Sequence, residues 1–402
     1  MLEQARALDV ADPLHEMRAR FALPKGIIYL DGNSLGALPT ITSKRMTETI
    51  ERQWGEDLIA SWNKHHWIDA STRVAAKLAP IVGAAADEVL VTDSTSINLF
   101  KLLSAGLAAR PGRRVILSEE GNFPTDLYIA AAIPGATLKT VPTAEIEAAL
   151  TDEVAVLMLT HVDYRSARAH DMAAVTAAAH RAGALALWDL SHSAGAMQLD
   201  LAGSGADLAV GCGYKYLNGG PGAPAYLFVA QALQESLANP LPGWMGHAAP
   251  FDFDPIYQPA RGIARFQSGT PSILAMAALE AGLATFDGIA MAELETKSRT
   301  LTDFFITCVE ARCPELTLAS PRDTAARGSH VVFAHPQAYA LMQALIAGGV
   351  IGDYREPNLV RFGFAPLYNG YEDAWRAAEI LAQIIASGAW DQPRFHQRGK
   401  VT

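Results

Sequence analysis

Short apolar runs alternate with helical patterns through the middle of the chain. Runs that predict β-strands lie within residues 113–120, 154–162, 184–195, 206–217 and 223–230. Residues 171–183 have the pattern of a helix, with Asp171 as its N-cap and Gly183 as its stop signal. Because the strand runs are apolar on both faces and helices separate them, they predict a largely parallel sheet in an α/β domain.

The last third of the chain has a different pattern. Residues 274–312 are helical with polar breaks, and residues 348–385 predict two strands, a turn and a helix. Strands followed by flanking helices indicate a smaller α+β domain. We therefore expect a large domain at 51–280 and a small C-terminal domain at 281–402, with the segment 1–50 packed against the small one.

Composition and charge exclude several classes of protein. The chain has 402 residues, a formal net charge of −10 and no basic run, which argues against binding to nucleic acid or to a membrane surface. No apolar stretch approaches the length of about 18 residues that a membrane span needs, and the charged N-terminus does not resemble a signal peptide. Cys212, Cys308 and Cys313 form neither a metal-ligand pattern nor a disulfide framework. We expect a cytoplasmic protein without a metal.

Polar residues collect where the predicted strands end. Thr160 and His161 end one apolar run, Asp189 and His192 follow another, and Lys215 follows a third, "ADLAVGCG". Ligands of open α/β sheets bind outside the carboxyl ends of the strands. The sequence therefore predicts a ligand site that contains these side chains.

The predicted site has the parts that pyridoxal 5'-phosphate requires. The hydroxyls of Ser94, Thr95 and Ser96 precede a helical pattern, and a helix N-terminus binds anions such as phosphate. A lysine amine condenses with carbonyls, and a carboxylate such as that of Asp189 can hold a protonated pyridine nitrogen. Taken singly, each feature has a plainer explanation as a turn, a helix cap or a surface lysine. Their joint order along one sheet favours the cofactor site.

Several motifs resemble a known family over nearly the whole chain. "WDLSHSAG" followed by "GYKYLNGGPG" resembles the aminotransferase class V group of pyridoxal-phosphate enzymes, which have fold type I. "YLDGNSLGALP" (29–39), "RFQSGTPSILAMAALEAGL" (265–283) and "GVIGDYREPNLVRFGFAPLYNGYEDAW" (349–375) are similar to segments of the kynureninases. The resemblance implies a fold type I enzyme that binds pyridoxal 5'-phosphate and works as a homodimer with active sites at the interface.

The resemblance also implies a role for individual residues. Lys215 carries the cofactor and moves protons, Asp189 pairs with the pyridinium nitrogen, and Tyr214 is one candidate for the base that assists water. The implied phosphate contacts are Thr95, Ser96, Tyr214 and Trp244. The implied ring contacts are Phe123, Pro124, Thr125, Asp126, Thr160 and His192. Thr270 is expected to reach the phosphate of the neighbouring subunit's cofactor.

Four further residues are expected to bind the substrate. Arg361 lies inside the apolar strand pattern "NLVRFGF", and a buried arginine needs an anionic partner. The substrate α-carboxylate suits its bidentate geometry, while the alternative is a structural salt bridge with Asp353 or Glu356. The other three expected substrate contacts are Asn33, Ser34 and Trp62.

Trp62 has an equally plain alternative. With His65 it belongs to the aromatic segment "SWNKHHW", which either faces the aryl ring of the substrate or forms ordinary packing.

The activity implied by the resemblance is the hydrolysis of L-kynurenine, or of 3-hydroxykynurenine, to the anthranilate and L-alanine in tryptophan breakdown. The alternatives are a class V aminotransferase and a cysteine or selenocysteine lyase. The lyase is disfavoured because Cys212 lies in an apparent strand, and Cys308 and Cys313 lie in a helical region. A cofactor-binding protein that has lost catalysis is the non-enzymatic alternative, against which intact Lys215, Asp189 and Arg361 argue.

Overall fold

The computed structural model describes residues 1–399. The strands are β1 (Ile28–Tyr29), β2 (Val89–Val91), β3 (Val115–Glu119), β4 (Thr137–Val141), β5 (Val154–Thr160), β6 (Leu185–Asp189), β7 (Leu208–Cys212), β8 (Ala225–Val229), β9 (Thr317–Leu318), β10 (His330–Ala334), β11 (Val350–Ile351), β12 (Asp353–Arg355) and β13 (Leu359–Gly363). The α-helices are α1 (Leu2–Ala11), α2 (Thr42–Glu48), α3 (Ser61–Lys64), α4 (Ala70–Val82), α5 (Thr95–Ala108), α6 (Pro124–Ala132), α7 (Ile146–Ala149), α8 (Met172–Arg181), α9 (Gln231–Gln234), α10 (Ile273–Leu283), α11 (Met291–Glu310), α12 (Ala338–Ala347) and α13 (Tyr371–Ser387).

A seven-stranded sheet forms the centre of the fold, in the order β2-β8-β7-β6-β5-β3-β4. Strands β3 to β7 run parallel to one another, and β8 runs antiparallel to both β7 and β2. Every residue of β5, β6 and β7 is buried, because both faces of the sheet are covered. The predicted α/β fold with a mostly parallel sheet is confirmed.

The helix predicted at 171–183 ends where its capping residues place it. The Asp171 carboxylate accepts a hydrogen bond from the amide of Ala174 at 3.0 Å, as an N-cap does. Gly183, two residues beyond the end of α8, has a φ of 77°, a conformation that favours glycine at the end of a helix. The strand after it ends earlier than its apolar run, because the chain turns at residues 191–193.

The C-terminal part contains a four-stranded antiparallel sheet in the order β12-β13-β10-β9. The prediction of two strands in residues 348–385 was wrong, since three strands form there. Gly352 separates β11 from β12, and the two strands then pair with different partners. β11 pairs in parallel with β1, whereas β12 pairs with β13.

The N-terminal segment contacts C-terminal elements. The Asp9 carboxylate accepts hydrogen bonds from the amides of Tyr371 and Glu372 at 2.7 and 2.9 Å, so it caps the N-terminus of α13. Strand β1 adds the pairing with β11. The three domain boundaries that we expect from the sequence stay a prediction.

Within residues 1–399, no single helix has the length and apolar composition of a membrane span. Helices 273–286 and 291–310 meet such a criterion only as a pair, and they are bent by 82° relative to each other.

Candidate active site

A cavity of about 250 Å³ lies at the carboxyl ends of the parallel strands. β5 ends at Thr160, β6 ends at Asp189, and Lys215 follows β7, so the parallel register brings the three side chains to one edge. The cavity is lined by Ser94, Thr95, Ser96, Phe123, Thr125, Asp126, Thr160, Tyr164, Asp189, Ser191, His192, Tyr214 and Lys215. Ten of the residues predicted to contact the cofactor are among them.

Lys215 contacts a buried histidine. Its Nζ lies 3.0 Å from Nε2 of His192, and the His192 side chain is buried. Burial is the main reason why the pKa of His192 lies well below its usual value, and the positive charge of Lys215 lowers it further. His192 is therefore neutral at physiological pH and accepts a hydrogen bond from the lysine amine.

Two carboxyl groups form one wall of the cavity. Asp189 Oδ1 accepts a hydrogen bond from the amide of Ser191 at 2.7 Å. Asp126 is buried, and burial together with the neighbouring charge of Asp189 holds its pKa well above the usual range. Its Oδ2 has no hydrogen-bond partner within residues 1–399. A protonated ring nitrogen placed here would offset the repulsion between the two groups.

The N-terminus of α5 also lines the cavity. Ser94 is the N-cap and accepts a hydrogen bond from the amide of Ile97, and Thr95 and Ser96 begin the helix. Free amides and hydroxyls at the start of a 14-residue helix favour a phosphate. The nearby Lys101 is engaged elsewhere, because its Nζ binds Asp93 at 2.5 Å and the carbonyl of Phe266 at 2.7 Å.

Tyr214 lies beside the lysine. Its ring centroid is 5.9 Å from Nζ of Lys215. Its backbone carbonyl accepts a hydrogen bond from the amide of Gly36 at 2.8 Å, which ties the "GNSLG" segment to the lysine loop. The pKa of the Tyr214 phenol is raised, chiefly by burial, so the hydroxyl keeps its proton at neutral pH.

Sequence reasoning missed two residues that organise the aromatic side of the cavity. Tyr164 packs edge-on against Phe123 at a centroid distance of 5.2 Å. Asn122 is buried, and its Oδ1 accepts hydrogen bonds from the hydroxyl of Thr160 and the amide of Phe123. Both residues follow strand ends, β5 and β3, so the rule that found Thr160 would also have found them. Pro124 does not line the cavity and instead begins α6.

Arg361 is almost fully buried and lies within an ion pair. Its Nε binds Asp353 Oδ1 at 2.7 Å, and its Nη2 binds Asp353 Oδ2. The structural salt bridge that we held as the alternative is therefore present, and the role of Arg361 toward a substrate stays a prediction. Ser34 lies 3.1 Å from Nη2 of Arg361. Asn33 is buried next to the guanidinium and accepts from it when its amide is oriented accordingly.

Three further predicted residues do not line the cavity. Trp244 is 37% exposed and lines a separate cavity of about 340 Å³. Thr270 is exposed in the loop before α10. Trp62 packs edge-on against Trp67, while its neighbour His65 binds Asp57 at 2.7 Å, so the packing alternative for this segment is realised in the structure. The cofactor and substrate roles of Trp244, Thr270 and Trp62 stay predictions.

The cavity residues fit pyridoxal 5'-phosphate. An anion site, a pair of buried carboxyl groups and a lysine surround one space, and Oδ2 of Asp126 has no hydrogen-bond partner among residues 1–399. The arrangement supports chemistry in which the lysine holds a carbonyl compound and the carboxylates stabilise a cationic ring.

Known structures share this fold at low sequence identity. The chain is similar to an apo structure of cysteine desulfurase from Thermococcus onnurineus NA1, with a TM-score of 0.78 and 18% identity over 92% of this chain and 98% of that one. It is also similar to a C-DES variant that carries glycine covalently linked to its PLP cofactor, with a TM-score of 0.77 and 18% identity over 90% and 98% of the two chains. Both likenesses show the fold.

Sequence comparison is more specific. Residues 294–381 match the model of the kynureninase C-terminal domain. A kynureninase from Pseudomonas fluorescens is 51% identical over 408 residues, which cover 98% of each chain. Identity at this level over the full length leaves no other family to consider: the chain belongs to the kynureninases.

Proposed function

We propose that this protein is a pyridoxal 5'-phosphate-dependent hydrolase that cleaves the Cβ–Cγ bond of L-kynurenine, or of 3-hydroxykynurenine. Water enters, and the products are anthranilate, or its 3-hydroxy form, and L-alanine. The observation that carries the proposal is that Lys215, the carboxyl groups of Asp126 and Asp189, and the N-terminus of α5 line one cavity. The membership of the family supports the choice of substrate. A cytoplasmic place in tryptophan breakdown is part of the proposal.

The cofactor would be held at three points of the cavity. The start of α5, with Thr95, Ser96 and the hydroxyl of Tyr214, would bind the phosphate. Asp189 would pair with the ring nitrogen, and Lys215 would form the covalent link. When bound, pyridoxal 5'-phosphate supplies an electron sink for bonds to the substrate α-carbon.

Lys215 would carry the proton transfer at the substrate α-carbon, and His192 would orient its amine. The lysine amine takes the α-proton, since it is the basic group of the cavity that lies free to move on a half-buried side chain. His192 stays neutral, and its Nε2 accepts a hydrogen bond from the lysine amine at 3.0 Å. This contact sets the orientation of the amine. Thus His192 orients Lys215 without competing for the proton.

Tyr214 is better suited to donate a proton than to remove one from water. Its raised pKa means that the phenolate is a minor species at neutral pH. The hydroxyl can hydrogen-bond a phosphate oxygen or an oxygen on the reacting side chain. This changes the role that we expected from the sequence, in which Tyr214 was a candidate base.

The proposal includes a homodimer that completes the active site. Trp244 and Thr270 lie outside the cavity of one chain, where a second copy could use them. Large apolar side chains are exposed near Trp244 and within residues 35–59, and such exposure favours a protein interface. They are Leu35, Leu38, Ile41, Ile50, Trp54, Leu58, Ile59, Phe251, Phe253 and Ile256.

The cysteine lyase alternative has little support from the geometry. Cys212, Cys308 and Cys313 are all buried, and none of them lines the cavity. A cysteine that takes up sulfur from a substrate must reach it. An aminotransferase needs no such residue, so the assay below must separate it by its products.

The test combines the identity of the lysine with the identity of the products. Purified protein with added cofactor should absorb visible light. Borohydride reduction should then attach the cofactor irreversibly to Lys215. Incubation with L-kynurenine should release anthranilate and L-alanine in equal amounts. Lys215→Ala should abolish both results, whereas Lys139→Ala, which changes an exposed lysine of β4, should leave both intact. Kynurenic acid as the product would identify an aminotransferase, and bound cofactor without turnover would indicate a protein that has lost catalysis.

A further inference from the structure

We propose that Asp353 is a positioning residue that holds Arg361 in the orientation that binds the α-carboxylate of the substrate. The substrate carboxylate then replaces the hydroxyl of Ser34 as a hydrogen-bond acceptor of the guanidinium. The inference rests on the proposed function, because it assumes a substrate with an α-carboxylate. It assigns a purpose to the ion pair that occupies Arg361 in the structure.

Strand pairing places the two residues opposite each other. Asp353 in β12 is the register partner of Arg361 in β13. Directly opposed side chains on one face of an antiparallel pair are close enough for contact. The pair is bidentate, and both side chains are almost fully buried. Its geometry is therefore set by the backbone of two paired strands and not by flexible loops.

A count of hydrogen-bond donors shows what remains for a ligand. A guanidinium has five N–H groups. In Arg361, Nε binds Asp353, Nη2 binds Asp353 and the hydroxyl of Ser34 at 3.1 Å, and Nη1 binds the carbonyl of Tyr164 at 2.6 Å. Asn33, when its amide is oriented to accept, shares protons of Nε and Nη2 and takes none from Nη1. One N–H of Nη1 is left. A carboxylate that binds to two donors therefore needs one protein acceptor to move away.

Ser34 is the acceptor that can leave at the lowest cost. Its hydroxyl also donates a hydrogen bond to Asp353 Oδ2 at 2.8 Å, and this bond does not depend on Arg361. The carbonyl of Tyr164 is part of the backbone, and Asp353 carries the charge that compensates the buried arginine. The substrate carboxylate would thus replace the Ser34 oxygen and use the free N–H beside it.

The surrounding charges explain why Asp353 stays in place when a second anion arrives. Arg355 also binds Asp353 Oδ2, at 2.7 Å. Burial works against the charged form of Asp353, but the charges of Arg361 and Arg355 outweigh it and lower the pKa of the carboxyl. Asp353 thus remains an anion shared by two arginines, and Arg361 keeps its orientation with and without substrate.

The experiment compares a ligand that has the carboxylate with one that lacks it. L-Alanine and kynuramine, the decarboxylated amine of kynurenine, would be titrated into holoenzyme, and the visible spectrum of the bound cofactor would report each Kd. Asp353→Asn should weaken L-alanine binding by about 10- to 100-fold, as expected for loss of a pre-oriented bidentate arginine. It should change the Kd of kynuramine less than about threefold. In the same variant, KM for L-kynurenine should rise together with the Kd of L-alanine, whereas kcat should change much less.

Two variants separate positioning from general damage. Asp353→Glu keeps the charge and should restore part of the L-alanine affinity. Asp207→Asn removes another hydrogen-bonded carboxylate, which binds the buried amide of Ala186 and the ring of His180, and should leave both Kd values unchanged. If Asp353→Asn weakened both ligands equally, or neither, the positioning role would be wrong.

Ser34→Ala supplies an independent arm that leaves the ion pair intact. Because the hydroxyl must yield to the carboxylate, its removal should tighten L-alanine binding by about twofold to fivefold. An unchanged or weaker affinity would contradict the role of Ser34. Failure of wild-type holoenzyme to release anthranilate would instead contradict the proposed function, and that result does not depend on any of these variants.

Discussion

The amine of Lys215 and the imidazole of His192 form a hydrogen-bonded pair, with Nζ and Nε2 3.0 Å apart. The histidine is buried and its pKa is strongly lowered, so His192 is neutral and any positive charge of the pair lies on the lysine. A neutral acceptor next to a reactive amine fixes the position of the amine without trapping its proton. Two matched substitutions test this relationship.

His192→Gln keeps an acceptor at nearly the same reach, whereas His192→Phe keeps the ring volume and removes the acceptor. A hydrogen bond to a charged group contributes about 1.5–3 kcal/mol. We therefore expect His192→Phe to lower kcat by about 10- to 100-fold, and His192→Gln to lower it several-fold less. Steady-state kinetics with L-kynurenine provides the measurement. Equal losses in the two variants would show that the shape of the ring, and not its nitrogen, matters to Lys215.

Sequence reasoning found most of the cavity because the relevant residues end strands. Thr160, Asp189 and Lys215 follow three neighbouring strands, and a parallel sheet brings such positions together whatever the details of packing. Tyr164 was missed although it obeys the same rule, since no resemblance drew attention to it. The rule was wrong at His161, which follows β5 but packs edge-on against Trp188 and does not line the cavity.

The partners of a side chain were harder to predict from the sequence. Arg361 was recognised as a buried cation, but whether its anion is Asp353 or a substrate depends on strand register across β12 and β13. That register follows from the break at Gly352, where one expected strand became two. Trp244 and Thr270 pose a different problem, because a resemblance names residues of a site without saying which chain supplies them.

Buried histidines should make the protein sensitive to acid. Burial lowers the pKa of His161 to about 4, and those of His192 and His330 lie well below the usual value of about 6.5. These groups stay neutral in the folded state, while the unfolded chain binds protons below pH 6.5. The free energy of unfolding should therefore fall as the pH drops below about 6.5, by at most ~1.4 kcal/mol per pH unit for each histidine.

His330→Phe measures one part of this sensitivity. The ring of His330 packs against His192 at a centroid distance of 5.4 Å and is fully buried, so phenylalanine of similar volume should be accommodated. Urea unfolding at pH 7.5 and at pH 5.5 should show a smaller loss of stability in the variant than in the wild type. The same loss in both would mean that His330 is already protonated, or solvated, in the folded protein.

Asp31 should make substrate binding depend on pH near neutrality. Burial and the charge of Asp353 raise its pKa to about 7, although Arg361, Arg355 and a hydrogen bond from Ser34 oppose the shift. The phenols that also sense this charge are those of Tyr29, Tyr216 and Tyr368. Below pH 7 Asp31 is protonated and the cluster has one negative charge fewer, which favours a substrate carboxylate at Arg361. Above pH 7 the Asp31 anion repels it.

We therefore expect KM for L-kynurenine to rise by up to about tenfold, or ~1.4 kcal/mol, as the pH increases from 6 to 8. Asp31→Asn should lack this rise and keep the low-pH value of KM throughout. Initial rates over this pH range would give KM for the wild type and for Asp31→Asn. Because the substrate's own titration affects both enzymes equally, the difference between the two KM profiles isolates the effect of Asp31. Parallel KM profiles in the two enzymes would contradict a role for the Asp31 charge.

Gly36 should be intolerant of any side chain, because it packs on the backbone of the lysine loop. A Cβ atom there would lie 2.4 Å from the carbonyl oxygen of Lys215 and 2.5 Å from Oδ1 of Asn218, and the carbonyl cannot move without moving the lysine. Gly36→Ala should therefore displace Lys215 and lower kcat by about 100-fold, the order expected for a misplacement of about 1 Å. It should also lower stability by about 1–3 kcal/mol.

Gly121→Ala is the matched control in another loop beside the cavity, since its Cβ would meet its nearest neighbour, Oδ2 of Asp163, only at 4.0 Å. Kinetics and urea unfolding of both variants decide the matter, and a Gly36→Ala enzyme with normal kcat would show that the "GNSLG" segment does not set the position of the lysine.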